Sequence, residues 1–249
     1  MSTETRRTDG GPHGSVGDNI PIARADWSFG GAVPENFVAH VRRSVPGYDE
    51  GHELACRVSD FFVHRDSVCY ELGPATGELL RRLAEHHAHK PAVRWIGIDR
   101  ERSMVARARA HCDGLPGVEV RCDDVVQIEY EPCDLVVAYY TIQFVEPRVR
   151  QTVFDRVYAA LNWGGAFVLF EKTRGPDARF QDILTQLYVE FKRRQGFSGD
   201  EILDKAESLK GVLEPFTTQA NIDLLRRAGF TDVMTIYKNI CFEGLLAIK

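Results

Sequence analysis

The chain has 249 residues, with 31 basic and 36 acidic side chains, a formal charge of −5 and 44% apolar residues. That is enough to bury a core without disulfides or a structural metal, as one large α/β domain or two small ones. A mildly acidic balance argues against a nucleic-acid-binding module, no run approaches the ~20 apolar residues of a membrane helix, and the first eighteen residues lack the apolar stretch of a secretory signal, so a cytoplasmic protein is expected.

Residues 1–18, rich in Gly, Ser, Thr and charge, read as a disordered tail. Residues 19–65 read as a helical preface, with Val38, Val41 and Val45, then Leu54, Val58, Phe61 and Phe62, at near-helical spacing. Pro46-Gly47 breaks it in two and presents Tyr48 on the connecting loop. From Asp66 the pattern alternates. Short apolar strands are expected over 67–72, 92–98, 118–122, 134–138 and 166–170, and helices over 77–85, 103–111 and 148–161. Asn162-Trp163-Gly164-Gly165 reads as the turn into the fifth strand.

Such alternation predicts a parallel sheet covered on both faces. Helices over about 177–196, 199–212 and 218–228 then form an insertion before two strands, 232–238 and 244–248. A hairpin closing a parallel sheet is the topology of class I methyltransferases rather than of dinucleotide dehydrogenases. The expected architecture is one α/β domain over 66–249, a Rossmann-like, seven-stranded, mostly parallel sheet with a C-terminal antiparallel hairpin. Residues 19–65 would serve as its helical lid. Phe180, Leu184, Leu187, Tyr188 and Phe191 of the 177–196 helix read as a side that faces the core or lid, with a partner-binding face as the alternative.

The six cysteines form no CxxC pair and read as reduced packing thiols. Glu85-His86-His87-Ala88-His89 reads as a solvated helix end, so no metal is expected.

The sharpest local signal is Tyr70-Glu71-Leu72-Gly73-Pro74-Ala75-Thr76-Gly77, between a strand and a helix. Gly73 and Gly77 let the backbone turn tightly and approach a bound group. The spacing is not that of the dinucleotide fingerprint. Instead Glu71 stands two before the first glycine, where a carboxylate can hold an ammonium group, as in the first motif of S-adenosyl-L-methionine (SAM) enzymes. Asp99 ends the second strand, where a carboxylate accepts the ribose hydroxyls and can also cap the next helix. Asp123-Asp124 follow the third strand, within reach of an adenine amino group. Tyr139-Tyr140-Thr141-Ile142-Gln143-Phe144 follow the fourth, where tyrosine faces attract a sulfonium and hydroxyls can orient or deprotonate an acceptor. Glu171 is a further candidate base.

Several phrases resemble one family, the carboxy-S-adenosyl-L-methionine synthases of the tRNA wobble-uridine pathway. They are Pro21-Ile22-Ala23-Arg24, Asp26-Trp27-Ser28-Phe29, Arg43-Ser44-Val45-Pro46-Gly47-Tyr48, Thr141-Ile142-Gln143-Phe144-Val145-Glu146-Pro147, Leu161-Asn162-Trp163-Gly164-Gly165, Glu171-Lys172 and Ala228-Gly229-Phe230. The resemblance runs from about Pro21 to Lys249 and implies SAM on Tyr48, Gly73-Pro74-Ala75, Asp99-Arg100 and Asp124-Val125, in a homodimer. It implies an activity that turns SAM and prephenate into carboxy-SAM. Two positions depart from it. Tyr139 stands where the family has an asparagine, and Ala206, in Lys205-Ala206-Glu207, stands where it has the arginine that clamps the added carboxylate.

The expected function is therefore a SAM-dependent enzyme acting on a small molecule, first as a methyltransferase using plain SAM. Tyr48, Tyr139 and Tyr140 would contact the sulfonium and acceptor. Carboxy-SAM synthesis is the alternative. Two further readings are a SAM cyclase releasing methylthioadenosine and azetidine-2-carboxylate, and a SAM-binding subunit without turnover. No direct nucleic-acid or membrane partner is expected.

Overall fold

The structure, a computed structural model, describes residues 14–15, 21–22, 27, 29 and 33–249. The tail expected over 1–18 lies outside the described residues except at Gly14–Ser15 (β1), which pair antiparallel with Pro21–Ile22 (β2) instead of standing alone. This ladder contacts the helix Gly199–Ser208, and Trp27 N–H donates to Ser208 O at 3.2 Å. The preface then forms α1 (Val33–Ser44) and α2 (Tyr48–Ser59). Gly47 joins them at φ 67, so Tyr48 opens α2 rather than lying on a free loop.

The alternating region follows the expected order: β3 (Val68–Leu72), α3 (Glu78–His86), β4 (Arg94–Asp99), α4 (Arg102–His111), β5 (Val118–Cys122), β6 (Cys133–Tyr139), α5 (Pro147–Ala160) and β7 (Leu161–Lys172). Pro147 suits the first turn of α5, where its missing N–H has no partner to lose. The turn expected at 162–165 is instead a bulge inside β7. Cys133 pairs with Leu161 and Leu135 with Ala166, so the extra residues loop outward and leave Trp163 exposed.

Three helices follow, α6 (Ala178–Arg194), α7 (Gly199–Ser208) and α8 (Thr218–Ala228). Each carries a side-chain cap: Asp177 accepts from Phe180 N, Ser198 and Glu201 form a capping box, and Thr217 accepts from Ala220 N. The hairpin β8 (Asp232–Asn239) and β9 (Phe242–Ile248) closes the sheet antiparallel to β7.

The sheet order is β5-β4-β3-β6-β7-β9-β8. The chain reverses direction of growth between β3 and β6, and in such sheets ligands bind beyond the carboxyl ends of the strands at that switch. Both faces are buried. Cys69, Val137, Val168 and Phe170 pack with α2, α3 and α4 on one face, while Tyr70, Val136, Phe167 and Leu169 pack with α5 and α8 on the other. Among the described residues no helix is long and apolar enough to cross a membrane.

The helix end expected to be a solvated face is only partly so. His87 is buried and stacked on Trp95. Asp60, His86 and His87 bring three ligand-type atoms close together. Ser59 Oγ donates to Cys56 O at 2.6 Å, so it accepts from His87 Nε2 at 2.7 Å. The His87 nitrogen facing Asp60 therefore carries a proton rather than a free lone pair.

Candidate active site

A cavity of about 1200 Å³ opens at the carboxyl ends of β3, β4, β6 and β7. Its first wall is the turn after β3. Gly73 sits at φ 71, its N–H bonds Ile98 O at 2.8 Å, and the Thr141 side chain occupies the space a Cβ would need. A side chain there would meet strain and a clash together. Asp99 ties this loop to the next strand, accepting from Ala75 N at 3.1 Å and from Glu101 N, the cap of α4, at 2.9 Å. Asp99 thus braces the turn and the entry to α4, whose cap carries no side-chain hydrogen bond, and each of its oxygens keeps a further lone pair.

Gly73, Pro74, Ala75, Asp99, Arg100, Asp124 and Val125 all line the cavity. Gly77 does not. It lies at φ 86 with Ala108 Cα 3.1 Å from where its Cβ would stand, so it permits α3 to pack on α4 rather than touching a ligand.

Glu71 lies in the cavity wall, 2% exposed, with Oε2 buried and without a hydrogen-bond partner. Burial first, and the nearby Asp99 charge second, raise its carboxyl to about 8. Asp124 Oδ1 accepts from Val126 N at 2.9 Å, and Asp123 Oδ1 from Asp124 N at 2.8 Å, fixing the loop after β5.

The second wall is aromatic. Tyr139 ends β6, and its hydroxyl donates to Tyr48 O at 2.7 Å. Gly51 of α2 makes this possible, because a Cβ there would collide with the Tyr139 hydroxyl. The Tyr139 ring lies 4.6 Å from Tyr140, 5.5 Å from Tyr48 and 4.6 Å from His52, centroid to centroid. Tyr140 holds φ 59, a conformation costly for a bulky residue, and its hydroxyl is buried without a partner. Burial drives the phenols of Tyr48, Tyr139 and Tyr140 well above the usual tyrosine range. They are therefore neutral rings and donors rather than ready bases.

His52 was not singled out in the sequence, although its place four residues after Tyr48 on α2 puts the two on one helix face. Burial, then the Arg82 charge, lowers its imidazole to about 3, and both ring nitrogens lack partners. Glu171, expected as a possible base, faces the opposite side of the sheet beside the buried Arg150 and does not line the cavity.

The third wall comes from β7, α6 and α7: Lys172, Tyr188, Lys192, Lys205 and Ala206. The apolar side of α6 is split. Leu184 and Tyr188 face inward, while Phe180, Ile183 and Leu187 are exposed.

A methyltransferase-domain family matches residues 70–165. Carboxy-S-adenosyl-L-methionine synthases are similar along almost the whole chain. The protein of that name from Staphylococcus epidermidis is 33% identical over 224 residues, covering 90% of this chain and 97% of the relative. Those of Salmonella arizonae and Klebsiella pneumoniae are 34% and 35% identical, each covering 93% of this chain and 95% of the relative. The chain belongs to the carboxy-S-adenosyl-L-methionine synthase family.

Among solved structures, this family member resembles the methyltransferase SibL (TM-score 0.60, 17% identity, 86% of this chain) and the pyocyanin biosynthetic protein PhzM (0.60, 20%, 88%). The chain spans 58% of each of those two longer proteins, and the likeness establishes the class I methyltransferase fold. This family member is a SAM-dependent transferase.

Its residues fit that cofactor. Gly73 lines the cavity without a side chain, the space for one being held by Thr141, and Glu71 has an orphaned buried oxygen that would suit an ammonium. Asp99 keeps free lone pairs, and four aromatic rings stand where a sulfonium is attracted.

Proposed function

We propose that this cavity binds SAM and serves methyl transfer to a small acceptor. Glu71 would hold the α-ammonium, Gly73-Pro74-Ala75 the methionine moiety, Asp99 and Arg100 the ribose end, and Asp124 and Val125 the adenine. Tyr48, Tyr139 and Tyr140 would face the sulfonium. When bound, SAM supplies an electrophilic methyl carbon.

The chain's own contribution is proximity and orientation. Neutral tyrosine and histidine rings exclude water and present π faces, and the hydroxyl of Tyr139 is already engaged with Tyr48 O. The observation that carries plain SAM over its carboxylated form is Ala206 in the cavity wall at the family's arginine position. Loss of a bidentate clamp on a buried carboxylate costs roughly 2–5 kcal/mol.

A second reading, carboxy-SAM synthesis, is favoured by the names of relatives that match nearly the whole chain. Incubating the protein with SAM, with and without prephenate and a panel of acceptors, and resolving products by mass spectrometry separates the readings. S-adenosylhomocysteine that requires an added acceptor supports methyl transfer. Carboxy-SAM formed from prephenate selects the second reading. Methylthioadenosine with azetidine-2-carboxylate selects ring closure within SAM, and SAM binding without product leaves a binding subunit.

For assembly, the homodimer implied by the resemblance would have a second copy cover Phe180, Ile183 and Leu187 on α6. We retain the expectations of a cytoplasmic location and of no metal, nucleic-acid or membrane partner.

A further inference from the structure

Three of the eight tyrosines send their hydroxyls to one short stretch of backbone. The stretch is the elbow between α1 and α2, Ser44-Val45-Pro46-Gly47-Tyr48. Tyr188 of α6 donates to Ser44 O at 2.8 Å, Tyr237 of β8 to Pro46 O at 3.0 Å, and Tyr139 of β6 to Tyr48 O at 2.7 Å. Alternate carbonyls of the elbow thus hang from three elements that follow it by 91 to 191 residues.

The backbone of this elbow calls for outside partners. Ser44 ends α1, so its carbonyl has no partner in its own helix, and Pro46 brings no N–H to the turn. Ser44, Val45, Pro46 and Tyr48 are all buried, where an unpaired carbonyl is costly. On the outer side the elbow is spanned by Arg42 and Asp49, a half-exposed ion pair of little worth. The buried side carries the anchoring.

Two glycines make room for it. At Gly47 the Tyr237 hydroxyl occupies the place a Cβ would take, and at Gly51 the Tyr139 hydroxyl does the same. Asn239 Nδ2 donates in turn to the Tyr237 hydroxyl at 3.4 Å, and Arg43 Nη2 ties α1 to Gln195 O at 2.9 Å. The rings are themselves held. Tyr139 and Tyr237 pack on Phe170, at 4.8 and 5.7 Å between centroids, and Tyr188 packs on Phe242 at 5.3 Å. Tyr48, at the end of the elbow, lines the cavity, whereas Tyr237 does not and reaches it only through the backbone.

We propose that Tyr188 and Tyr237 are positioning residues, which together with Tyr139 fix the α1–α2 elbow and so set the Tyr48 ring against the ligand. The ligand end of this proposal rests on the SAM reading above, but the anchoring of the elbow is measurable without SAM.

The test uses the full chain carrying Tyr188→Phe, Tyr237→Phe or both, which delete hydroxyls and keep rings. Amide hydrogen exchange reads the elbow through Val45 N–H, bonded to Val41 O, and Gly51 N–H, bonded to Gly47 O. Each single variant should speed exchange at both amides about fivefold, and the pair about 25-fold. The control Tyr70→Phe, whose hydroxyl accepts from Glu131 N, should leave both amides unchanged. In calorimetric titration with SAM, each single variant should stay within about threefold of the native affinity, since two anchors remain. The pair should bind at least about tenfold more weakly. In a Tyr48→Ala background the pair should cost less than about twofold more, because the ring it positions is gone.

Unchanged exchange in the folded variants overturns the anchoring, and if melting curves show that the pair does not fold, the single variants decide this point. Native SAM affinity in a folded pair, or a tenfold loss that persists with Tyr48→Ala, overturns positioning through Tyr48. Exchange that responds as expected in a protein that fails to bind SAM leaves the anchored elbow standing and removes the SAM reading.

Discussion

Glu71 couples the occupancy of the cavity to pH. Its carboxyl is raised to about 8 by burial and by Asp99, so at pH 7 roughly nine molecules in ten hold it protonated. Contact with an α-ammonium requires the carboxylate, while an α-amine itself titrates at about 8. The productive pair is therefore most populated near pH 8. Between pH 6 and pH 8 its population, and with it the apparent SAM affinity, rises about 25-fold, and above pH 8 it falls again, to about a third of the maximum at pH 9. Calorimetry in buffers of different ionisation heat should record proton release at pH 6 and uptake at pH 9.

Glu71→Gln should abolish the acidic limb. It should also stabilise the free protein. The folded carboxyl is raised above its ordinary 4.5, so the stability linked to Glu71 is present below that pH and lost as pH rises through 8. Removing the ionisable group recovers roughly 3 kcal/mol at pH 7, readable as a higher melting temperature. A flat affinity profile from pH 6 to 8 in the native protein, or an unchanged rise in Glu71→Gln, would refute the ammonium contact.

Two further substitutions test other parts of the site. Gly77→Ala, forced to keep φ 86 against Ala108, should destabilise the fold by roughly 1–3 kcal/mol in denaturant melts while leaving SAM affinity of the folded fraction unchanged. A selective loss of affinity at native stability would return Gly77 to the binding set. Tyr139→Phe removes the bond to Tyr48 O but keeps the ring, so about 1 kcal/mol of stability should be lost with SAM affinity largely retained. A large loss of affinity at preserved stability would show that the hydroxyl, rather than the ring, meets the ligand.

Much of the site was readable in the chain order. Strand-turn-helix around Gly73, an acid at the end of the next strand and tyrosines after β6 are local patterns, and the switch-point rule for parallel sheets brings them together. Ala206 was marked as standing at the position of a clamping arginine by the family resemblance, not by local pattern. Local pattern could not tell that Gly77 serves α4, because the neighbour that needs the space is Ala108, far away in sequence.

Side-chain direction was the larger gap. Glu171 and Lys172 are adjacent, and strand alternation sends them to opposite faces, but which face holds the cavity depends on how α5 and α6 cover the sheet. His87 looked solvated until Trp95 of the neighbouring strand covered it. The sequence by itself determined the sheet, the glycine turn and the acids that flank it, because these follow from periodicity and backbone freedom. Only the tertiary structure decided that Lys172, Lys192 and Lys205 share one wall, because each comes from a different element and their meeting depends on packing that no local pattern encodes.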